Sequence, residues 1–401
     1  MSSTEGKELL PDQDLVGRLF PEASTAGYSV ISSNWEVCTF RVSFELGRTP
    51  ICYPREVLVR LERKSSSSRL ALIATLQKLA ALGIPDLVPT IFDIHSIQAH
   101  DGSKLEYSVM QFLTGTLTLE TVWDHMAESQ KASISAAVVE AIQQVQKLRL
   151  TDTKVQAALT GTAFMDEHGN QKAVVGGPRL GFYSSMSSLL KSIVQPGDDS
   201  PCTFAMNDDG SVIIESCHYP DLGRVEISGS ELQVLEQTSI LSHNDIEPRN
   251  ILVRKSSALD KHECTYKLAA IIDWEMASFI PFALETGTKD VFLGRQNQNF
   301  DWYRLFKENT ASMLLPETHA VNDKLFQALM LTEQASRREA GRNVGMAVQK
   351  KWIKREKLKM SGNTGMQQGW IRQADAGTVD PFAEADNEAL EIEVLKELGY
   401  I

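Results

Sequence analysis

From Tyr28 the chain reads as strands, most clearly over Val37–Phe44, where apolar side chains recur at every second position, the mark of a strand packed on one face. The pattern predicts strands over Tyr28–Ser32, Val37–Phe44 and Val57–Glu62, with turn residues Gly47-Arg-Thr-Pro50 between the second and third. Past the polar run Ser65–Ser68 the spacing becomes helical over Leu70–Leu82, and Ile84-Pro85 ends that helix. Strands return at Thr90–Ile97 and Leu105–Phe112, joined by a turn at His100-Asp-Gly-Ser103. Helical spacing then dominates: Thr118–Ala127, Ser133–Leu148, Ser184–Val194, Asp301–Leu314 and Asn322–Leu331, followed by a basic run, Glu333–Lys359, and an acidic amphipathic stretch, Phe382–Leu398. Residues 1–27 are polar, with one short amphipathic turn at Leu15, Leu19 and Phe20. Residues 151–238 are turn-rich, with a hairpin at Gly161–Asn170, a turn at Gly176-Gly-Pro178 and a strand-like Ser211–Glu215.

The pattern is most informative from Ile240 to Glu275. An apolar run breaks into His243-Asn-Asp245-Ile-Glu-Pro-Arg249-Asn250 and resumes as Ile251-Leu-Val253. After a polar loop, Arg254–Thr265, a second apolar strand ends at Asp273-Trp-Glu275. Charged and amide oxygens beside apolar strands are costly to desolvate unless something satisfies them, and the usual partner for such a cluster is a hard cation such as Mg²⁺. Asn250 and Asp273 are therefore the candidate metal ligands. Mg²⁺ shares its ligands with phosphates, which points to a nucleoside triphosphate. Asp245 is then left to accept the proton of an attacking hydroxyl. His243 reads as a residue that orients the loop, Glu275 as a neighbouring acceptor or cap, and Glu247 as a solvated loop charge. An alternative places Glu247 near the γ-phosphate path, where it would favour an amine-bearing acceptor.

These residues resemble the aminoglycoside phosphotransferase and choline kinase superfamily of small-molecule kinases, especially its fungal members, over about Tyr28 to Phe306. Asp-Trp-Glu in place of Asp-Phe-Gly separates the chain from protein kinases. The resemblance implies an α+β, bilobal, protein-kinase-like fold with a small β-rich N-lobe and a larger, mainly α-helical C-lobe. It implies a nucleotide-binding lobe over 28–112 and a catalytic and substrate lobe over 113–331, flanked by a polar extension (1–27) and a helical one (332–401). Arg60 falls where the family places the basic residue that braces the α- and β-phosphates, and backbone groups of Gln111 and Leu113 fall at an adenine edge. The implied activity is transfer of the γ-phosphoryl group of ATP, with Mg²⁺, to a hydroxyl of a small molecule. GTP as donor stays open.

The chain departs from the family at two places. The phosphate loop, Ser32-Ser-Asn-Trp-Glu36, holds no glycine and would have to use hydroxyl and backbone donors. The helix that usually carries a glutamate for the basic residue has Leu72 or Ile73 there, leaving Arg60 to find another partner. Both departures favour an alternative, a non-catalytic pseudokinase that binds a nucleotide or metabolite, whereas Asp245, Asn250 and Asp273 favour catalysis.

With 401 residues at 42% hydrophobic content the chain can bury a large core. A net charge of −12 argues against a nucleic-acid or anionic membrane surface. Cys38, Cys52, Cys202, Cys217 and Cys264 form no CxxC pair and read as reduced thiols of a cytoplasmic protein. No apolar run reaches membrane-spanning length and the first residues lack a signal-peptide core. The acidic C-terminal stretch could pair with the basic run either within the chain or between copies in a homo-oligomer.

Overall fold

Strand alternation predicted from the sequence becomes alternation in burial: along Val37–Phe44 every second side chain enters the core. The computed structural model describes all residues except 1–7, 24, 46–52, 64–68, 100–101, 160–172, 257–264, 340–342, 362–368 and 375–383. The expected turn at 47–50, the serine run 65–68, the hairpin at 161–170 and most of the glycine-rich 361–369 stretch lie outside the described residues. The molecule has a small β-rich lobe and a larger helical one, the α+β bilobal arrangement anticipated above.

In the small lobe, helix α1 (Gln13–Leu19) precedes β1 (Thr25–Ser33), β2 (Val37–Phe44), β3 (Glu56–Arg63), helix α2 (Arg69–Gly83), β4 (Ile91–Gln98) and β5 (Lys104–Gln111). The five strands form an antiparallel sheet in the order β1-β2-β3-β5-β4. Residues 13–20 are more than an amphipathic turn. Asp12 caps α1 by accepting the Leu15 N–H at 2.7 Å, and Leu15, Val16, Leu19 and Phe20 are buried in the small-lobe core beside Phe40 and Phe44. Helix α2 faces the other way, its Leu76, Leu79 and Ala80 belonging to the large-lobe core.

The large lobe opens with β6 (Thr116–Thr118), α3 (Leu119–Trp123), α4 (Glu128–Val145) and α5 (Thr153–Ala158). The helix expected over Thr118–Ala127 is thus a short strand and a short helix, because Thr116–Thr118 pairs with the strand that follows the candidate catalytic loop. The turn-rich region carries β7 (Val175–Gly177), β8 (Gly181–Tyr183), α6 (Met186–Val194) and a three-stranded antiparallel sheet, β9 (Cys202–Met206), β10 (Val212–Ser216) and β11 (Arg224–Ile227). Then come α7 (Gly229–Gln237), β12 (Ser239–Ser242), β13 (Ile251–Ser256), β14 (Thr265–Ile271), β15 (Ser278–Pro281), α8 (Phe282–Phe292), α9 (Phe300–Thr310) and α10 (His319–Glu339).

Helix α10 runs unbroken across residue 331, and the basic run divides: α11 (Val344–Arg355) starts afresh where Asn343 accepts the Met346 N–H at 3.0 Å. A small hairpin, β16 (Leu358–Met360) with β17 (Trp370–Arg372), and α12 (Glu384–Glu397) complete the chain. The acidic and basic segments meet within the chain. Lys351 reaches Glu393 at 2.5 Å and Glu397 at 2.6 Å, over a cluster in which Trp352 packs with Leu390 and Val394. Gly369 lets this extension lie against the large lobe, since a Cβ there would fall 2.0 Å from the Tyr303 hydroxyl. Among the described residues no helix is long and apolar enough to cross a membrane.

Burial rather than surface charge holds the extension, so Trp352→Ala should lower unfolding stability by about 3–5 kcal/mol. Lys351→Ala should leave the urea midpoint nearly unmoved. Equal shifts for the two variants would contradict this account.

Candidate active site

Two segments distant in sequence are stitched together at the foot of the interlobe cleft. Strand pairing supplies the frame: Ile240 lies opposite Ile280 in β12 and β15, and Ile251 lies opposite Ile271 in β13 and β14. Side chains finish it. His243 Nδ1 accepts the Asp245 N–H at 3.2 Å, which leaves Nε2 to donate to the Ile272 carbonyl at 2.9 Å. Burial pushes this imidazole down to about 4, so the ring is neutral and braces the loop, edge-on to Trp274. Asn244 Nδ2 donates to the Met276 carbonyl at 2.9 Å, and the Ile272 N–H donates to the Asn250 carbonyl at 2.9 Å. Asn244 and Asp273 both take positive φ, 64° and 62°, a conformation that non-glycine residues keep only where their surroundings enforce it.

Within this frame the Asn250 amide donates to Asp245 Oδ2 at 2.7 Å and to the Asp245 carbonyl at 2.9 Å. A carboxylate only accepts, so this contact fixes which end of the amide faces Asp245 and turns its oxygen away. Among the described residues nothing donates to that oxygen. Arg249 Nη2 holds both Asp245 oxygens, at 2.6 and 2.9 Å, and its Nη1 donates to the Gln296 carbonyl at 2.5 Å. Asp245 is therefore clamped in place.

Asp273, one residue beyond the Ile272 amide that Asn250 holds, is pushed up by burial and then by the Glu275 and Asp245 carboxylates, with Arg60 at 3.5 Å opposing. Asn250 and Asp273 line the same interlobe cleft, and amide and carboxylate oxygens are the donors a hard cation takes. By donor chemistry these two side chains suit Mg²⁺.

Arg60 has found its replacement partner. From β3 its Nη2 meets Glu275 at 2.6 Å and its Nε meets Glu62 at 2.6 Å. Arg69, the first residue of α2, joins Glu275 at 3.2 Å, and Arg179 stands 4.0 Å from it. Burial opposes the Glu275 charge, but these arginines hold the carboxyl below its ordinary range. The sequence showed the lack of a glutamate in the helix; it carried no signal for Arg69. Arg179 rides on the turn between β7 and β8, whose tightness requires glycine. A Cβ on Gly176, at φ +117°, would fall 2.0 Å from the Gly181 carbonyl oxygen. Gly176-Gly-Pro178 was the sequence signal for that turn, though not for the arginine behind it.

Two expectations are corrected. Glu247 is neither a solvated charge nor a neighbour of a phosphate path: it is buried, and Lys289 Nζ meets it at 2.7 Å while also donating to the Ile246 carbonyl at 2.6 Å. Its partner lies far along the chain, out of reach of local reading. The Ser32–Glu36 loop also has few donors to spare. Asn34 Oδ1 accepts the N–H groups of Glu36 and Val37, each at 2.8 Å, the Asn34 N–H donates to Val37, and the Ser33 hydroxyl donates to Glu8. An Asx-type turn has taken up the amides that a glycine loop would offer to phosphate.

A cavity of about 1050 Å³ opens between the lobes, lined by Leu58 and Met110 from the small lobe and Leu252 and Ile272 from the large one. Gln111 and Leu113 lie on its wall with Arg60, Arg69, Asn250 and Asp273. The Gln111 N–H is taken by the Thr90 carbonyl at 2.8 Å, whereas among the described residues the Leu113 N–H has no acceptor. A second cavity, about 800 Å³, is lined by Asp245, Asn244, Arg249 and residues of α8 and α10. Asp273, Glu275 and Arg179 border both.

In α8 Glu285 is buried, and burial pushes its carboxyl up to about 7 against the opposing pull of Lys289 and the Asn244 backbone N–H. A raised carboxyl favours the folded state most fully at low pH, and that contribution fades as pH rises from about 4.5 through about 7. The stability gap between Glu285→Gln and the parent should thus widen in the variant's favour by roughly 3 kcal/mol between about pH 4 and about pH 8. Urea titrations at both pH values check this, and a constant gap would contradict it.

No protein-family model matches the chain, and no curated protein matches it in sequence. Solved structures do match. A thermostable mutant of an aminoglycoside phosphotransferase in its apo form is 12% identical, covers 97% of this chain and 100% of its own, and has a TM-score of 0.45. The GDP complex of wild-type aminoglycoside 2'-phosphotransferase-IIIa is 12% identical, with coverages of 85% and 95% and a TM-score of 0.45. Spectinomycin phosphotransferase, in complex with ADP and spectinomycin, is 11% identical, with coverages of 86% and 94% and a TM-score of 0.37. The likeness is one of layout; what this pocket can do depends on its own side chains.

Proposed function

We propose that the chain is a phosphotransferase that uses ATP and Mg²⁺ to phosphorylate a hydroxyl of a small molecule. One observation carries this reading. A cavity large enough for a nucleotide and another suited to an acceptor share Asp273, Glu275 and Arg179, with Asn250 in the first and Asp245 in the second.

In this reading the adenine lies between Leu58 and Met110 on one side and Leu252 and Ile272 on the other, with the Leu113 N–H and the Gln111 carbonyl at its edge. Asn250, through its amide oxygen, and Asp273 would hold Mg²⁺, which when bound neutralises charge on the β- and γ-phosphates. Arg60 braces the α- and β-phosphates while anchored by Glu62 and Glu275. Asp245, kept in register by Arg249 and Asn250, orients the acceptor hydroxyl and takes its proton. The acceptor oxygen bonds to the γ-phosphorus as the bond to the bridging oxygen breaks, and ADP leaves with that electron pair. Such catalysis is chiefly positioning and charge stabilisation.

Replacing Asp245 by Asn should lower kcat by about 10²–10⁴-fold while leaving nucleotide binding in place. Asp273→Ala should lower turnover at least as far. ATP-dependent product formation, followed by mass spectrometry over a panel of alcohols, measures both, and full turnover in Asp273→Ala would remove the assignment.

A second reading, a nucleotide-binding module with little turnover, is favoured by the internal use of the Ser32–Glu36 donors. A saturable rise in Tm with ATP and Mg²⁺, without ADP or phosphorylated product from any acceptor, would select it.

A further inference from the structure

The acceptor cavity has a chemical bias that phosphotransfer alone does not require. Its carboxylates are already answered within the chain. Asp245 is held by Arg249 at 2.6 Å, Glu275 by Arg60 at 2.6 Å and Arg69 at 3.2 Å, and Glu333 by Arg295 and Arg337, each at 3.1 Å. Asp273 faces Arg60 at 3.5 Å and is assigned to the metal in the reading above. Cationic groups line the same space, with Arg179 at its mouth 57% exposed. An ammonium entering here would lose its hydration and meet, among the lining carboxylates, none without an arginine already beside it, an arrangement that costs several kcal/mol per charge.

Away from Asp245 the wall is largely apolar, interrupted by Thr288, Gln296 and the Thr332–Glu333–Ser336 face of α10. Leu180 and Ile193 face the cavity from the β7–β8 turn and α6, Ile280 and Leu284 from β15 and α8, Phe292 from the end of α8, and Leu329 from α10. Two hydroxyls on this wall donate inward, Thr288 to the Leu284 carbonyl at 2.7 Å and Thr332 to the Ala328 carbonyl at 2.8 Å, which leaves Ser336 as the hydroxyl open to a ligand among the described residues. A sugar ring could reach Ser336, the Gln296 amide and the Asn244 oxygen but would lay its remaining hydroxyl groups against apolar side chains, and each hydroxyl buried without a partner weighs against binding. An apolar body would gain from every face.

We propose that the acceptor is an uncharged alcohol with a largely apolar body, seated on the Leu180–Leu284–Leu329 wall with its hydroxyl at Asp245, and that polycationic amino sugars are excluded. This rests on the phosphotransferase reading for the hydroxyl's fate, but not for its binding. The carboxylate network acts as the filter, because it removes in advance the negative charge that an amine would seek.

The test uses the full chain with farnesol, borneol and phenethyl alcohol against kanamycin. Binding is followed by thermal shift and tryptophan fluorescence without nucleotide, and transfer by mass spectrometry with ATP and Mg²⁺. At least one apolar alcohol should bind saturably and yield a phosphate ester, and kanamycin should do neither. Leu329→Gln should weaken binding of that alcohol about tenfold, the scale expected when one leucine contact is lost. Leu180→Gln, on the turn between β7 and β8, should do the same and serves if the first variant folds poorly. Kanamycin binding, absence of binding by all three alcohols, or alcohol binding indifferent to both variants would overturn the proposal. If an alcohol binds in a Leu329-dependent manner yet no transfer occurs, the acceptor chemistry stands and the transfer reading falls. If ATP turns over but no apolar alcohol binds, the reverse holds.

Discussion

Everything at this site depends on the stitching of the His243–Asn250 loop to the Ile271–Ser278 segment. Two strand pairs bring the segments side by side, and His243, Asn244 and Asn250 each add a hydrogen bond between them. The bonds made by His243 and Asn250 are to backbone groups of Ile272, so the position of Asp273 is set by the same contacts that set Asp245. A neutral imidazole suits this work better than a charged one, since it donates on one side and accepts on the other. The left-handed turns at Asn244 and Asp273 are held by this network and aim both segments into the cleft.

The second constraint crosses the lobes. A largely buried strand arginine that lacks a helix glutamate is answered by Glu62 on its own strand and by Glu275 from the large lobe. That exchange moves the anchor of Arg60 from the neighbouring helix to the segment that carries Asp273, so the lobes are tied beside Asp273. Arg69 and Arg179 reinforce the same carboxylate. The hairpin at Ser32–Glu36 has gone the opposite way, its amides satisfied by Asn34. Arg60, Arg69 and Arg179 line the cleft where the Ser32–Glu36 amides are already taken.

Much of this was legible in the sequence where the cause is local. Period-two alternation placed the small-lobe sheet because one face is buried, and the spacing of Asp245, Asn250 and Asp273 survives because strand ends carry the residues directly. Contacts that depend on distant partners were not legible. Glu247 looks solvent-facing until Lys289 is brought beneath it, and Arg179 looks like a turn residue until Glu275 appears beside it. The sheet at residues 202–227 was obscured by short strands between turn residues, of which only Ser211–Glu215 alternates clearly. At the C-terminus, charge suggested a pairing, but the buried Trp352 cluster decides how it docks.

The central claim is that Asn250 and Asp273 together grip one cation against the phosphates of a bound nucleotide. Calorimetric titration of ATP into the chain, with and without Mg²⁺, against the same pair of titrations for Asp273→Asn, tests it most directly. The account predicts that Mg²⁺ strengthens ATP binding by at least about tenfold, some 1.4 kcal/mol, in the parent, and that the gain disappears in the variant. An equal strengthening by Mg²⁺ in both proteins would contradict it.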